Sequence, residues 1–240
     1  MKKTSFLFSS LLLAVICAAL AGFGFSTEVK SQSITSEQEL ESIQLPDPQT
    51  DGGRPLMEVL MDRKSQRSFS TDEIPLQVLS NLLWAAFGIN RPEQGKRTAP
   101  SAENWQEVDI YVALVEGLYL YEAGEHILNP VLAQDIRAMT GRQSFVKDVP
   151  VNFIYVADFS RMAVQPKVVN YMLSSASAGC IIQNVYLYCA SEGLATVIRG
   201  LIDRTALEKV MKLRRKQKIL LAQSVGYPRE TEEGGAERNN

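Results

Sequence analysis

Residues 168–192 read VVNYMLSSASAGCIIQNVYLYCASE, a run without proline and without a charge before Glu192. Strands seldom exceed about ten residues, so a stretch this long and this apolar predicts a single helix. Ser174-Ser175-Ala176-Ser177-Ala178-Gly179 lies in its middle, and side chains this small let a second backbone come close. A helix that is apolar nearly all round belongs in a core or a subunit interface.

The segments around this helix set the fold class. Upstream, Val151-Asn152-Phe153-Ile154-Tyr155-Val156-Ala157 is a continuous β-branched and aromatic run, which suits a strand buried on both faces. Val108–Val115 and Leu118–Tyr121 are two β-rich runs joined at Glu116-Gly117, the pattern of a hairpin. Downstream, Ile219–Val225 reads as a last strand. Helical spacing is expected over Leu56–Ser65, over residues 75–87 with Gly88 as the stop, over 130–139 and over 204–212. About four strands against five helices, with a hairpin instead of strict alternation, predict an α+β fold with a central, mostly antiparallel sheet flanked by helices.

Composition removes whole classes of function. The chain has 240 residues, 45% of them hydrophobic, with 25 Lys+Arg against 27 Asp+Glu; this excludes a disordered or collagen-like chain and fits one domain. A formal charge of −2 gives no basic footprint for nucleic acid. His126 is the single histidine, so a His-rich zinc centre cannot be built, and at a polar turn it reads as a surface residue and not a catalyst.

The first residues, Met1-Lys2-Lys3, precede an apolar run from Phe6 to Phe25, with Ala19-Leu20-Ala21 as a small-residue cleavage site. This reads as a signal peptide over 1–21 and an exported protein, periplasmic or secreted; an uncleaved membrane anchor and a lipid on Cys17 are the alternatives. Losing Lys2 and Lys3 would move the formal charge from −2 to −4. Residues 22–54, with Pro46-Asp47-Pro48 and Asp51-Gly52-Gly53, read as a flexible tether. Residues 55–229 form the expected domain, and 230–240 an acidic, disordered tail. Cys180 and Cys189 fall on the long helix, about 13 Å apart along its axis and on opposite faces, so they cannot bridge to each other.

Arg63-Lys64-Ser65-Gln66-Arg67 places three cations and a hydroxyl within five residues. That density suits a phosphate, which takes both charge and hydrogen bonds. The pattern continues with Phe69, with Leu82-Leu83-Trp84-Ala85-Ala86-x-Gly88, and with Arg97-Thr98-Ala99-Pro100-Ser101-Ala102-x-Asn104-x-Gln106. Gly179-x-x-x-Gln183-Asn184-x-x-Leu187, Gly193-Leu194-Ala195-Thr196 and Val225-Gly226-Tyr227-Pro228-Arg229 follow in order. Taken together these segments resemble the FMN-dependent nitroreductase family, in its branch with thiazole- and oxazole-forming dehydrogenases. Two departures stand out: Lys64 replaces a common Arg or His, and Glu107-Val108 stands where many members have Pro-Trp.

The resemblance implies a homodimer with FMN at its interface and the long helix buried there. It implies that Arg63, Lys64, Ser65 and Arg229 meet the ribityl phosphate and that Arg67 faces the polar edge of the flavin. Pro100, Ser101 and Asn104 would come from the partner subunit to cover the ring, Gln183 would face the site, and the backbone N–H groups of Leu194 and Ala195 would approach the flavin N5. A flavin carries its own redox chemistry, so no side chain is named as general acid or base and no metal is expected. The expected activity is ping-pong hydride transfer through N5, from NAD(P)H or another donor to a small organic acceptor. A flavin-binding protein without turnover, or a flavin-free surface protein on the same fold, is the alternative.

Overall fold

The computed structural model describes residues 40–229. The predicted leader, the first part of the tether and the acidic tail lie outside them. The described chain contains nine strands: β1 (Ile43–Gln44), β2 (Ile89–Arg91), β3 (Lys96–Arg97), β4 (Val108–Ala113), β5 (Leu118–Glu122), β6 (Ile127–Leu132), β7 (Val151–Asp158), β8 (Ala195–Arg199) and β9 (Gln217–Gly226). Its α-helices are α1 (Leu56–Asp62), α2 (Leu76–Phe87), α3 (Lys167–Ser191) and α4 (Arg204–Val210). Seven strands form one sheet in the order β1-β6-β5-β4-β7-β9-β8, and every neighbouring pair is antiparallel. The fold is α+β, as the sequence predicts.

The alternation of side chains along the sheet builds two cores. Val108, Ile110 and Val112 of β4 and Phe153 and Tyr155 of β7 pack with α2 and α3 on one face. Tyr111, Ala113, Ile154 and Val156 pack on the other with Leu207 of α4, Met211 and Ile136. All eight residues of β7 are buried, which is why this strand shows no polar alternation. Tyr155 takes its hydroxyl into this core, where it donates to Gln223 Oε1 at 2.6 Å.

Three parts of the sequence reading are corrected. The helix expected over 130–139 is instead strand β6, followed by a single 3-10 turn at Arg137–Met139. Pro130 sits in that strand because β1 pairs only with Leu128 and Ile127, so beyond them β6 is an edge with no hydrogen bond for a proline to forfeit. Ala195–Arg199, to which the sequence reading gives no strand, is strand β8; it starts four residues after α3 ends, turned by Gly193 at φ +71°, a backbone conformation that favours glycine. The tether reaching to residue 54 is the third: Ile43–Gln44 completes the sheet edge, Leu45 is buried, and the carbonyls of Pro46 and Asp47 accept from Ser80 Oγ (2.5 Å) and Gln77 Nε2 (2.9 Å) of α2. His126 belongs to the same joint, lying 2.7 Å from Ser80 Oγ and 3.0 Å from the Tyr121 hydroxyl. Its removal from water lowers its pKa.

Helix α3 matches its predicted span. Ser174, Ala178, Ile181, Ile182, Val185 and Cys189 are buried against the sheet, while Met172, Ala176, Gly179, Cys180 and Gln183 are exposed. The helix is therefore buried along one face within this chain. Both cysteines are free thiols.

A chain starting at residue 55 should be less stable than one starting at residue 40. It opens the Leu45 site and strands two side-chain donors on α2, a loss on the order of 2–5 kcal/mol by analogy with core truncation. Urea unfolding of the two chains measures it, and equal midpoints would contradict the docking of residues 43–47.

Candidate active site

The basic segment is held by strand-like contacts. Helix α1 stops at Asp62, and Arg63 turns into extended backbone with φ −58° and ψ 118°, so Lys64 and Ser65 lie beyond the helix and not on its end. The Gln66 N–H donates to the Thr196 carbonyl of β8 at 3.0 Å. Phe69 bridges Pro228, the Ser70 N–H donates to Tyr227 O (2.9 Å) and the Arg229 N–H to Ser68 O (3.3 Å). Residues 162 positions apart in the chain, Arg67 and Arg229, are thereby carried on adjoining backbone.

Phe69 anchors this arrangement from below. It is buried, lies 5.4 Å from the Phe145 ring and packs with Val149, Ala195 and Val197. The loop bearing Phe145 is pinned in turn by Arg199, which donates to Thr140 O (2.5 Å) and Asn152 Oδ1 (2.7 Å). With no carboxylate beside it, burial pulls the Arg199 pKa down to about 10.

Tyr186 of α3 is the residue that the sequence did not single out. Its hydroxyl accepts the Ile198 N–H at 2.9 Å and lies 2.8 Å from Ser65 Oγ, and the Arg63 guanidinium sits 5.2 Å from its ring centroid. Either hydroxyl can donate in the Ser65–Tyr186 hydrogen bond; where Tyr186 donates, the Ser65 proton is free for another acceptor. The only signal in the sequence is its position one helical turn beyond Gln183. Arg63, Lys64, Arg67 and Arg229 form no ion pair among the described residues. Four cations with no acid partner among the described residues, carried on adjoining backbone with the Ser65 hydroxyl, suit an oxyanion such as a phosphate.

The loop with Pro100, Ser101 and Asn104 is built separately. Gly88 ends α2 where an added Cβ would lie 2.5 Å from Trp84 Cδ1, and Thr98 donates its N–H to Gly88 O at 2.9 Å. Ser101 Oγ accepts the Gln106 N–H (2.9 Å) and Asn104 Oδ1 accepts from Gln106 Nε2 (3.2 Å). Glu103, Asn104 and Gln106 all have positive φ, an uncommon backbone for such residues that these hydrogen bonds sustain. Among the described residues no hydrogen bond joins this loop to Arg63–Ser70. Gln183 is exposed on α3. The Leu194 N–H is already given to Cys189 O at 2.8 Å as part of the helix end, and Leu194 and Ala195 are both buried. That corrects the N5 contact expected of the Leu194 N–H, because capping α3 takes the donor.

The chain resembles known proteins in sequence and in fold. Residues 60–227 match the profile of the nitroreductase family. The chain belongs to the nitroreductase family. A Methanocaldococcus jannaschii protein carrying a nitroreductase name is 30% identical over 194 residues, covering 77% of this chain and 95% of its own. A Ralstonia eutropha crystal structure, also under a nitroreductase name, is 42% identical, covers 80% of this chain and 91% of its own, and superposes with a TM-score of 0.76. An NADPH:FMN oxidoreductase from Vibrio harveyi shares the fold at a TM-score of 0.55 and 16% identity, covering 76% of this chain and 72% of its own. Membership of the nitroreductase family makes this chain an oxidoreductase by class.

Tyr186→Phe should cost about 0.5–1.5 kcal/mol of stability, the net worth of a hydrogen bond, by releasing the Ile198 N–H and Ser65. Denaturant unfolding measures the loss; an unchanged midpoint would mean that the phenol holds nothing.

Proposed function

We propose that this nitroreductase-family protein is an exported, FMN-dependent oxidoreductase that works as a homodimer. The observation that carries the reading is the basic segment Arg63–Arg67 on backbone adjoining Arg229, its cations without an ion pair among the described residues, with the Ser65 hydroxyl in the same segment. A ribityl phosphate is a ligand that such a surface fits, and the Vibrio harveyi relative in fold is named for FMN.

Arg63, Lys64, Ser65 and Arg229 would hold the phosphate. Arg67 would bring a positive charge to the polar edge of the ring, where it favours the anionic reduced cofactor. When bound, the flavin supplies hydride transfer at its N5, from NAD(P)H or another donor to a small organic acceptor. Pro100, Ser101 and Asn104 of the partner subunit would cover the ring and exclude water, while Gln183 would face it from α3. The Phe69–Phe145 pair and the Gln66–Thr196 hydrogen bond would hold the basic segment in place beneath the cofactor.

Exposed apolar surface supports the dimer. On α1, Met57 and Met61 are 71% and 86% exposed, and on α3 Met172 is 62% exposed beside the small residues Ala176 and Gly179. Apolar patches of this kind mark interaction sites, and small residues allow two helices to pack closely. Export rests on Met1-Lys2-Lys3 and the apolar run that follows.

Arg63→Ala should weaken FMN retention by about 10- to 150-fold, since a hydrogen bond to a charged group is worth about 1.5–3 kcal/mol. Flavin absorbance retained after gel filtration reads it directly, and anaerobic NADH or NADPH should bleach the parent protein. Equal occupancy in variant and parent would refute the phosphate assignment. Retained colour that no nicotinamide bleaches would point to another donor.

A further inference from the structure

One buried phenol touches two of the groups assigned to the phosphate. Tyr186 is 5% exposed, while Ser65 is exposed and Arg63 half-buried. The Arg63 guanidinium lies 5.2 Å from the Tyr186 ring centroid, and Ser65 Oγ lies 2.8 Å from its hydroxyl. That hydroxyl is itself fixed from the sheet, because the Ile198 N–H of β8 donates to it at 2.9 Å. Two residues earlier on β8, the Thr196 carbonyl accepts the Gln66 N–H at 3.0 Å. Ser65 is thereby held through its chain neighbour and through its own side chain, both from one edge strand.

The protons give this contact a direction. A phenol has one proton to donate, and Ser65 Oγ is the acceptor that Tyr186 has among the described residues. If Ser65 donated to Tyr186 instead, the phenol proton of a buried residue would be left without a partner there, which is costly. With Tyr186 donating, the phenol oxygen meets the Ile198 N–H, the phenol proton meets Ser65, and the exposed Ser65 hydroxyl keeps its proton for a ligand. A hydroxyl that accepts one hydrogen bond donates better in the next, and one already oriented loses less freedom when a ligand arrives.

Resting on the phosphate reading of the basic segment, we infer that Tyr186 is a positioning residue of that site: through Ser65 it sets a hydroxyl donor toward the phosphate, and so favours FMN over riboflavin. Tyr186 acts without touching the ligand. Its ring stays under Arg63 whether or not the hydroxyl is present, so the two contributions can be separated by Tyr186→Phe.

The test is titration of the flavin-free full chain with FMN and with riboflavin, which differ only in the phosphate, read by quenching of flavin fluorescence. Tyr186→Phe should lower FMN affinity about 2- to 12-fold, the range of one hydrogen bond, and leave riboflavin affinity unchanged. Ser65→Ala should give a selective loss of the same kind. The variant carrying both changes should lose no more than the larger single loss, because the phenol acts through Ser65 and the two sites are coupled. A loss shared equally by FMN and riboflavin is what a merely structural role would give, and it would overturn the inference. So would unchanged FMN affinity in Tyr186→Phe, or losses that add in the double variant. A parent protein that binds riboflavin as tightly as FMN would instead overturn the phosphate reading itself, and the inference with it.

Discussion

Strand β7 must be covered on both faces. Its eight residues, Val151–Asp158, are all buried, and an uncovered side would expose Phe153 and Tyr155 or Ile154 and Val156 to water at a cost of about 1.5–3 kcal/mol for each large apolar side chain. Helices α2 and α3 cover one face, and α4 with Ile136 covers the other. The two neighbours of β7 in the sheet, β4 and β9, satisfy its backbone along most of its length. Once that slab is fixed, the ends of its strands and helices have few places to go.

The basic segment is one consequence. β8 lies at the open edge of the slab beside β9, and the chain from Arg63 to Ser70 takes the space next to it, hydrogen-bonded to Thr196 through Gln66 and to Tyr227 and Arg229 through Ser70 and Ser68. Among the described residues, no ion pair neutralises its cations. Elsewhere the molecule pairs its arginines closely, as in Arg161 with Asp109 and Arg214 with Asp158. Leaving cations unpaired at an edge costs little in water, whereas leaving Arg199 buried without a carboxylate costs more. Arg199 is held by the Thr140 carbonyl and Asn152, and Arg97 by Gln106.

Tyr186 links these layers. Its ring is part of the core between α3 and the sheet, its hydroxyl ties the edge strand β8 to the helix through Ile198, and it reaches Ser65 at the surface. A side chain with an apolar body and a polar tip is suited to such a boundary. The site is therefore positioned by the core itself.

Much of this was written in the sequence. The length and apolarity of 168–192, the β-branched run at 151–157 and the hairpin at Glu116-Gly117 determined the α+β class, because period and residue type act locally. The ordered motifs from Arg63 to Arg229 determined the family. What the sequence did not determine rests on contacts between distant residues. Ile43–Gln44 is a strand only because β6 offers an edge, and Pro130 lies in a strand only because β1 ends before it. Leu194 lost its expected donor to the cap of α3, and Tyr186 joined the site because folding brought Ser65 and Ile198 to its hydroxyl. Burial and hydrogen-bond partnership belong to the assembled chain, and only the tertiary structure could decide them.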